Sequence, residues 1–282
     1  MKIKLIATVI IASMLLMSCS LFRPAESPSS PVESDTESAS TTDEVTEPPM
    51  TAEPVIPVKK PGDPLTVCID AGHGYTDPGC TTKYLSGKYE REIVSDYSKV
   101  LKTKLEEMGC RVILLRNDEH YVDAAEIAAA ARKLGMSILE DKLVDDGRFA
   151  PYNRSVWANV LHRDTYIDLF VSIHIDSFEE MESVRGTRIY YCTDTPYSIG
   201  SKKLCDALAE SVKAALPDTN ARSFAKSSAE AYVVTKHTEM PSVLIEMGFA
   251  TNPDDAASIL DTEWRDSFCR AIADGIKAYS GN

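Results

Sequence analysis

Val67 to Gly79 reads V-C-I-D-A-G-H-G-Y-T-D-P-G, a short apolar run that ends in an aspartate and then a histidine held between two glycines. The run from Leu65 to Ile69, stopped by turn residues, has the form of a buried strand in an α/β sheet. His73 falls just past its end. Gly72 and Gly74 permit a sharp turn and, lacking side chains, leave room for a group to approach the imidazole. Ligands of open α/β sheets bind beyond the carboxyl ends of the strands, which is where this histidine stands. Taken alone it reads more readily as a loop histidine with an ordinary hydrogen bond, since a single His marks little.

Downstream, Tyr89 to Met108 carries Ile93, Tyr97, Val100, Leu101 and Leu105 at helical spacing, with Gly109 as a fitting C-cap. Glu90 falls in its first turn, where an acidic side chain also serves simply to complement the helix dipole. Arg111 to Leu115 is the next strand, and a strand-helix-strand unit of this length implies parallel pairing. Asp123 to Leu134 is alanine-rich and helical, and Ser137 to Asp146 reads as a second short helix. A helix over Asn153 to Leu161 leads into a strand over Asp168 to Ile173, from which His174 emerges as His73 does from the first. Further on come a strand over Gly186 to Cys192, a helix over Lys202 to Leu216, and an extended segment over Ala231 to Thr235. The buried strand Ser242 to Ile245 carries Glu246 at its end, and two helices, Asp254 to Leu260 and Trp264 to Tyr279, close the chain. The alternation predicts a single α/β domain with a mostly parallel central sheet and helices on both faces.

The beginning of the chain has another character. Lys2 and Lys4 precede an apolar run from Leu5 to Met17, the layout of a secretory signal and too short for an ordinary transmembrane helix. Its end, Leu16-Met17-Ser18-Cys19, resembles a bacterial lipobox, which implies a signal peptide over 1–18, a lipid on Cys19 and anchoring to the membrane facing the cell wall; an ordinary signal peptide with a chance cysteine is the alternative. From 19 to 62 the chain is Ser, Thr, Pro and Glu with few large apolar residues, a composition that cannot bury enough surface to offset ordering entropy and so predicts a disordered tether. Its stretch from Ser20 to Val58 has eight acidic residues against one base, Arg23, and accounts for about half of the formal charge of −13. The remaining 63–282 is still acidic and has no basic cluster, which argues against nucleic acid as a partner. Six cysteines lie in that body, Cys68, Cys80, Cys110, Cys192, Cys205 and Cys269, with no C-x-x-C spacing and no pairing that spacing alone decides.

Two histidines and a glutamate thus stand at strand ends of one sheet, with a second glutamate on the helix after the first strand. Two imidazoles, one carboxylate ligand and a further carboxylate as base are what a catalytic zinc site needs, because zinc takes three protein ligands and keeps a fourth position for water. Ligand atoms of such a set are expected within roughly 3–4 Å of one another. A serine nucleophile has no G-x-S-x-G elbow to sit on, and only Cys80 lies in a loop beside either histidine.

The ordered blocks resemble the zinc-dependent N-acetylmuramoyl-L-alanine amidases of the type-3 family, from Thr66 to about Tyr279. I-D-A-G-H-G with Asp77-Pro78-Gly79 is similar to the opening motif, E-R-E-I-V to the glutamate block, and Arg154, Ala158 and Asn159 to the R-x-x-x-A-N pattern before D-L-F-V-S-I-H. Met240 to Glu246, with Gly248-Phe249 and Asn252-Pro253, resembles the closing block. The resemblance implies an amidase/phosphorylase-like three-layer sandwich, a Zn2+ held by His73, Glu90 and His174, Glu246 as the catalytic carboxylate, and peptidoglycan as substrate, cut between the muramic acid lactyl group and the first L-alanine of the stem. Ala71 departs from a usual proline, and Ile175-Asp176 from a common Ala-Asn. Asp176 either hydrogen-bonds around the ligands or only ends its strand, and Arg154 either holds a substrate carboxylate or is a buried structural guanidinium. Asn159 stands with Arg154 and Asp176 as a residue near substrate or ligands. His120, His162 and His237 match no ligand position. Two rivals remain, a zinc peptidase acting within the stem peptide and a non-catalytic wall-binding lipoprotein. The least expected feature is an insertion of about 25–30 residues relative to the family pattern, placed at 123–153, which is either a cap beside the groove or a surface helix pair far from it.

Overall fold

A computed structural model describes residues 56–116 and 121–281. The signal peptide expected over 1–18, Cys19, most of the tether and His120 lie outside the described residues. The first strand, β1 (Thr66–Ala71), is buried along its whole length. It is followed by α1 (Glu90–Glu107), β2 (Arg111–Leu114), α2 (Ala124–Lys133), α3 (Pro151–Thr165) and β3 (Leu169–Asp176). Then come β4 (Arg188–Cys192), α4 (Ser198–Ala215), β5 (Arg222–Lys226), α5 (Val233–His237), β6 (Ser242–Phe249), α6 (Pro253–Leu260) and α7 (Thr262–Ser280). The sheet order is β2-β1-β3-β6-β4-β5, parallel throughout except where β4 runs antiparallel to β6.

Side chains alternate across each strand with the period of two, and the alternation makes two cores. Val67 and Ile69 of β1, Leu169 and Val171 of β3 and Val243 and Ile245 of β6 pack with Tyr97 of α1, Leu208 of α4 and Ile272 of α7. On the opposite face Cys68, Phe170 and Leu244 pack with Ile127 of α2, Val156 of α3 and Val234 of α5. The two layers of helices therefore enclose a sheet buried on both sides, which is why its central strands read as near-continuous apolar runs. All six body cysteines are free thiols.

Several boundaries differ from those expected. The segment over Ser137 to Asp146 holds one 3-10 turn, Glu140–Lys142, and no longer helix. Its backbone groups are claimed from α3: the Asn153 amide both accepts from Val144 N and donates to Val144 O, and Tyr152 Oη accepts from Leu139 N. Those bonds replace the ladder that a helix would need. Ala231 to Thr235, expected extended, instead enters α5, where Thr235 Oγ1 donates to Tyr232 O and Thr238 Oγ1 to Val234 O, so β-branched residues close a turn rather than lie in a ladder. The edge strand β5 has no apolar alternation and is set by pairing with β4. β3 and β6 both run past the expected ends, so His174 and Glu246 are paired strand residues and not loop residues.

Candidate metal centre and active site

His73 sits two residues beyond β1, in the left-handed region at φ 57°, and Tyr75 follows at φ 52°. Non-glycine residues there are uncommon and need outside support. Arg154 supplies it: its guanidinium donates to the His73 and Ala71 carbonyls, to Phe149 O and to Asp70 Oδ1 at 2.5 Å. Asp70 in turn accepts from Ser172 Oγ at 2.7 Å. Arg154 is 3% exposed and borders the cavity, and these four hydrogen bonds to protein atoms make it a clamp on the histidine loop. Gly72 is required for another reason: a Cβ there would run into the His174 ring.

The His73 ring is oriented from behind. Asp77 Oδ2 lies 3.0 Å from His73 Nδ1, and Asp77 Oδ1 accepts from Gly79 N at 3.1 Å. With Nδ1 engaged, Nε2 faces Glu90 Oε2 at 3.2 Å. Glu90, in the first turn of α1 and 2% exposed, reaches His174 Nδ1 with its other oxygen at 3.2 Å. It also accepts from Cys80 N and Ile175 N, each at 2.8 Å. Burial pushes this carboxyl up, yet the hydrogen bonds with His174 and His73 outweigh it and hold Glu90 well below the usual carboxylate range. For His73 burial acts to lower the pKa and the Glu90 contact to raise it, and the contact prevails.

One ligand atom from each of His73, Glu90 and His174 lies within 4.8 Å of the others, a group that could hold a metal ion. Each imidazole lies 3.2 Å from a different Glu90 oxygen, and with one atom taken from each residue the group fits within 4.8 Å, a looser bound than the expected 3–4 Å. Two imidazoles and a carboxylate form a donor set suited to catalytic zinc. The two rings meet edge to face with centroids 4.8 Å apart, and both line a cavity of about 690 Å³.

Glu246 lines the same cavity, paired in register with His174 across β3 and β6. It is 6% exposed, and Oε2 has no hydrogen-bond partner among the described residues. Burial pushes its carboxyl well above the ordinary value, and the charges of Asp176 and Glu90 add to the rise. A buried carboxylate without a partner is costly and calls for an explanation. Asp176 also borders the cavity, its Oδ1 accepting from Ser177 N and its Oδ2 4.0 Å from Arg188 Nη1. Asn159 is elsewhere: it bridges His237 O and Glu239 N, fixing the turn between α5 and β6. His162 accepts from Ile167 N at the end of α3, away from the ligand group.

In the segment 123–153, expected as an insertion, α2 docks on the core through Ile127 and Ala131, while the return segment brings Phe149 and, at the start of α3, Pro151 to the cavity wall. Tyr232 and Val233 also line the cavity. Asp77 had no assigned role in the sequence reading, because a carboxylate four residues after a loop histidine leaves no periodic trace. Tyr232 was hidden in a segment read as extended.

A sequence model of the family described as N-acetylmuramoyl-L-alanine amidase matches residues 67–278. A Bacillus subtilis (strain 168) protein described as uncharacterized protein YqiI is 30% identical over 230 residues, covering 82% of this chain and 92% of that one. The probable cell wall amidase LytH of Staphylococcus aureus is 28% identical over 223 residues, 78% of this chain and only 60% of that longer protein. Among solved structures, the CwlD amidase from Clostridioides difficile, in complex with the GerS lipoprotein, superposes with a TM-score of 0.59 at 26% identity, covering 77% of this chain and 98% of that one. An N-acetylmuramoyl-L-alanine amidase from Clostridium difficile 630 shares the fold with a TM-score of 0.60 at 23% identity, over 78% of this chain and 98% of that one.

Proposed function

The chain belongs to the N-acetylmuramoyl-L-alanine amidase family, and from that premise we propose that it is a zinc-dependent peptidoglycan hydrolase cutting the amide between the lactyl group of muramic acid and the first L-alanine of the stem peptide. The observation that carries the reading is a three-ligand group beside a buried carboxylate, Glu246, whose Oε2 has no hydrogen-bond partner among the described residues, all lining one cavity. His73 Nε2, His174 Nδ1 and Glu90 are the proposed ligands. Bound there, zinc would polarise the scissile carbonyl and acidify a water molecule. Glu246 would take a proton from the attacking water at its carboxylate and pass it to the leaving amine nitrogen, the acyl carbon gaining hydroxide as its C–N bond breaks and the new amino group gaining the proton. Burial raises the Glu246 pKa, and the nearby Asp176 and Glu90 add to the rise, whereas for Glu90 burial is outweighed by the hydrogen bonds with His174 and His73. Asp77 keeps the Nδ1 side of His73 occupied, so that only Nε2 is offered.

The decisive experiment is mass spectrometry of purified wall fragments after digestion. Release of intact stem peptides with a free L-alanine amine is expected, and fragments cut within the stem would replace the reading with that of a zinc peptidase. No change in the fragments at all would replace it with that of a wall-binding protein.

The same proposal places the enzyme on the outer side of a bacterial membrane, held by a lipid on Cys19 and a tether over 19–62. The apolar run before Cys19 and the composition after it support this. A flexible chain of about 40 residues spans roughly 30–40 Å on average, enough to reach nearby wall. Cys19→Ala is expected to move the protein from the membrane fraction to the medium; an unchanged distribution would remove the anchor from the proposal.

A further inference from the structure

β4 joins the sheet antiparallel to β6 and sets Arg188 directly opposite Glu246, while on the other side of β6 Glu246 is paired with His174. Paired residues point to the same face, and neighbouring strands lie about 4.8 Å apart. A ligand histidine, a buried carboxylate and a guanidinium therefore stand in one row across three strands. Arg188 is 34% exposed, in contrast to Arg154, which is almost wholly enclosed. Its guanidinium carbon lies 4.5 Å from the Phe249 ring centre and 5.9 Å from that of Phe224, so aromatic faces hold the planar group in place. Its nearest carboxylate oxygen, Asp176 Oδ2, is 4.0 Å away, beyond the roughly 2.7–2.9 Å of a charge-assisted hydrogen bond. The fork is thus held in position, with no bidentate carboxylate partner among the described residues.

We infer that Arg188 is a specificity-determining residue that binds a free carboxylate of the stem peptide, on the leaving-group side of the scissile amide. The inference rests on the amidase reading for the identity of the ligand. The muramic acid carboxyl is itself consumed in the scissile amide, and the rest of the glycan offers neutral hydroxyl and acetamido groups. The peptide side carries carboxylates, the first of them on the glutamyl residue next to L-alanine when that residue is not amidated. A planar guanidinium matches a carboxylate in two parallel hydrogen bonds, and an arginine already held by rings loses little freedom on binding. Glu246 and Asp176, both on the side of it toward β6 and β3, disfavour an extended polyanion there.

The test compares two peptides that cannot be turned over: L-alanyl-γ-D-glutamyl-L-lysine, and the same tripeptide with the glutamyl α-carboxylate amidated. Calorimetric titration of the zinc-loaded wild-type protein is expected to give about tenfold tighter binding of the acid, as a hydrogen-bonded charge contributes. That ratio should shrink as salt is raised. Arg188→Gln should bring it close to one, and Arg188→Lys should retain part of it. Equal affinities in the wild-type protein, or a ratio that survives Arg188→Gln, would overturn the assignment. Should Arg188→Gln not fold, the wild-type ratio and its salt dependence still decide. Neither peptide contains the muramyl amide, so failure of this test is separate from failure of the amidase reading, which the wall-fragment digest tests.

Discussion

Asp77 Oδ2 and His73 Nδ1 lie 3.0 Å apart, and this contact fixes which nitrogen of the histidine faces Glu90. A carboxylate behind a ligand histidine raises its basicity and locks its orientation. Asp77→Ala is therefore expected to weaken zinc binding by about 10–100-fold with the fold intact. Competition titration against a chromophoric chelator measures it, and wild-type affinity in the variant would show that the loop backbone alone sets the ring.

Protons compete with metal at the same nitrogen. His73 is held above its ordinary pKa, chiefly by Glu90 acting against burial, so zinc binding must displace a proton over a wider range than at a free histidine. Zinc affinity should fall as pH drops from 8 to 6, with proton release visible when calorimetry is repeated in buffers of different ionisation enthalpy. Binding independent of pH over that span would contradict His73 as a ligand.

Glu246→Gln separates base from ligand. Turnover should be lost while zinc content stays at the wild-type level, and loss of zinc equal to that in His174→Ala would reassign the residue. The variant has a second signature in the metal-free protein. A carboxyl whose pKa is raised by folding contributes stability that is full below the unfolded value near ~4.3 and is lost as pH rises through the folded value. Chelator-treated wild-type protein should thus lose stability from pH 5 to pH 8, and Glu246→Gln should lose less of it in thermal melts. Glu90 has the opposite sign: its depressed pKa gives stability above about 4.3 that is lost as pH falls.

Much of this was legible in the chain because chemistry and punctuation coincide there. The glycines around His73, the apolar strand before His174 and the run before Glu246 mark positions that backbone sterics and burial both constrain, and those residues meet at the cavity. Arg154 was ambiguous for a physical reason: a guanidinium beside a site reads the same whether its acceptors are substrate or backbone, and only the Phe149, Ala71 and His73 carbonyls decide it. The irregular path after α2 was invisible because side chains from α3 satisfy its backbone, a nonlocal arrangement that leaves helical-looking apolar spacing behind. Arg188 drew no attention because its neighbour Glu246 lies on another strand, 58 residues away in sequence.

Arg154 and Asp70 form a buried pair at 2.5 Å, and removing one member strands the other charge. Arg154→Ala is expected to cost about 3–5 kcal/mol in chemical denaturation. A residue that merely held substrate would raise KM and leave the denaturation midpoint where it was, so the two measurements together distinguish clamp from substrate anchor.

The segment 123–153 meets the loop that carries His73 at Gly147, where a single methyl group can be informative. Gly147 has φ 78°, its carbonyl accepts from Thr76 N at 3.0 Å, and a Cβ on it would come within 2.9 Å of Thr76 Cγ2. Gly147→Ala therefore forces an L residue into the left-handed region, at about 1–2 kcal/mol, and presses the return segment against the loop that carries His73. Phe149, two residues further on, lines the cavity and would move with it. A displacement near 1 Å at a reacting site can reduce rate by up to about a hundredfold, so kcat/KM on wall fragments should drop well beyond what the small change in melting temperature suggests. Zinc content is expected to stay at the wild-type level, since neither residue is a ligand candidate. If the folded variant instead digests wall at the wild-type rate, the insertion is a surface embellishment and its approach to the cavity has no bearing on catalysis.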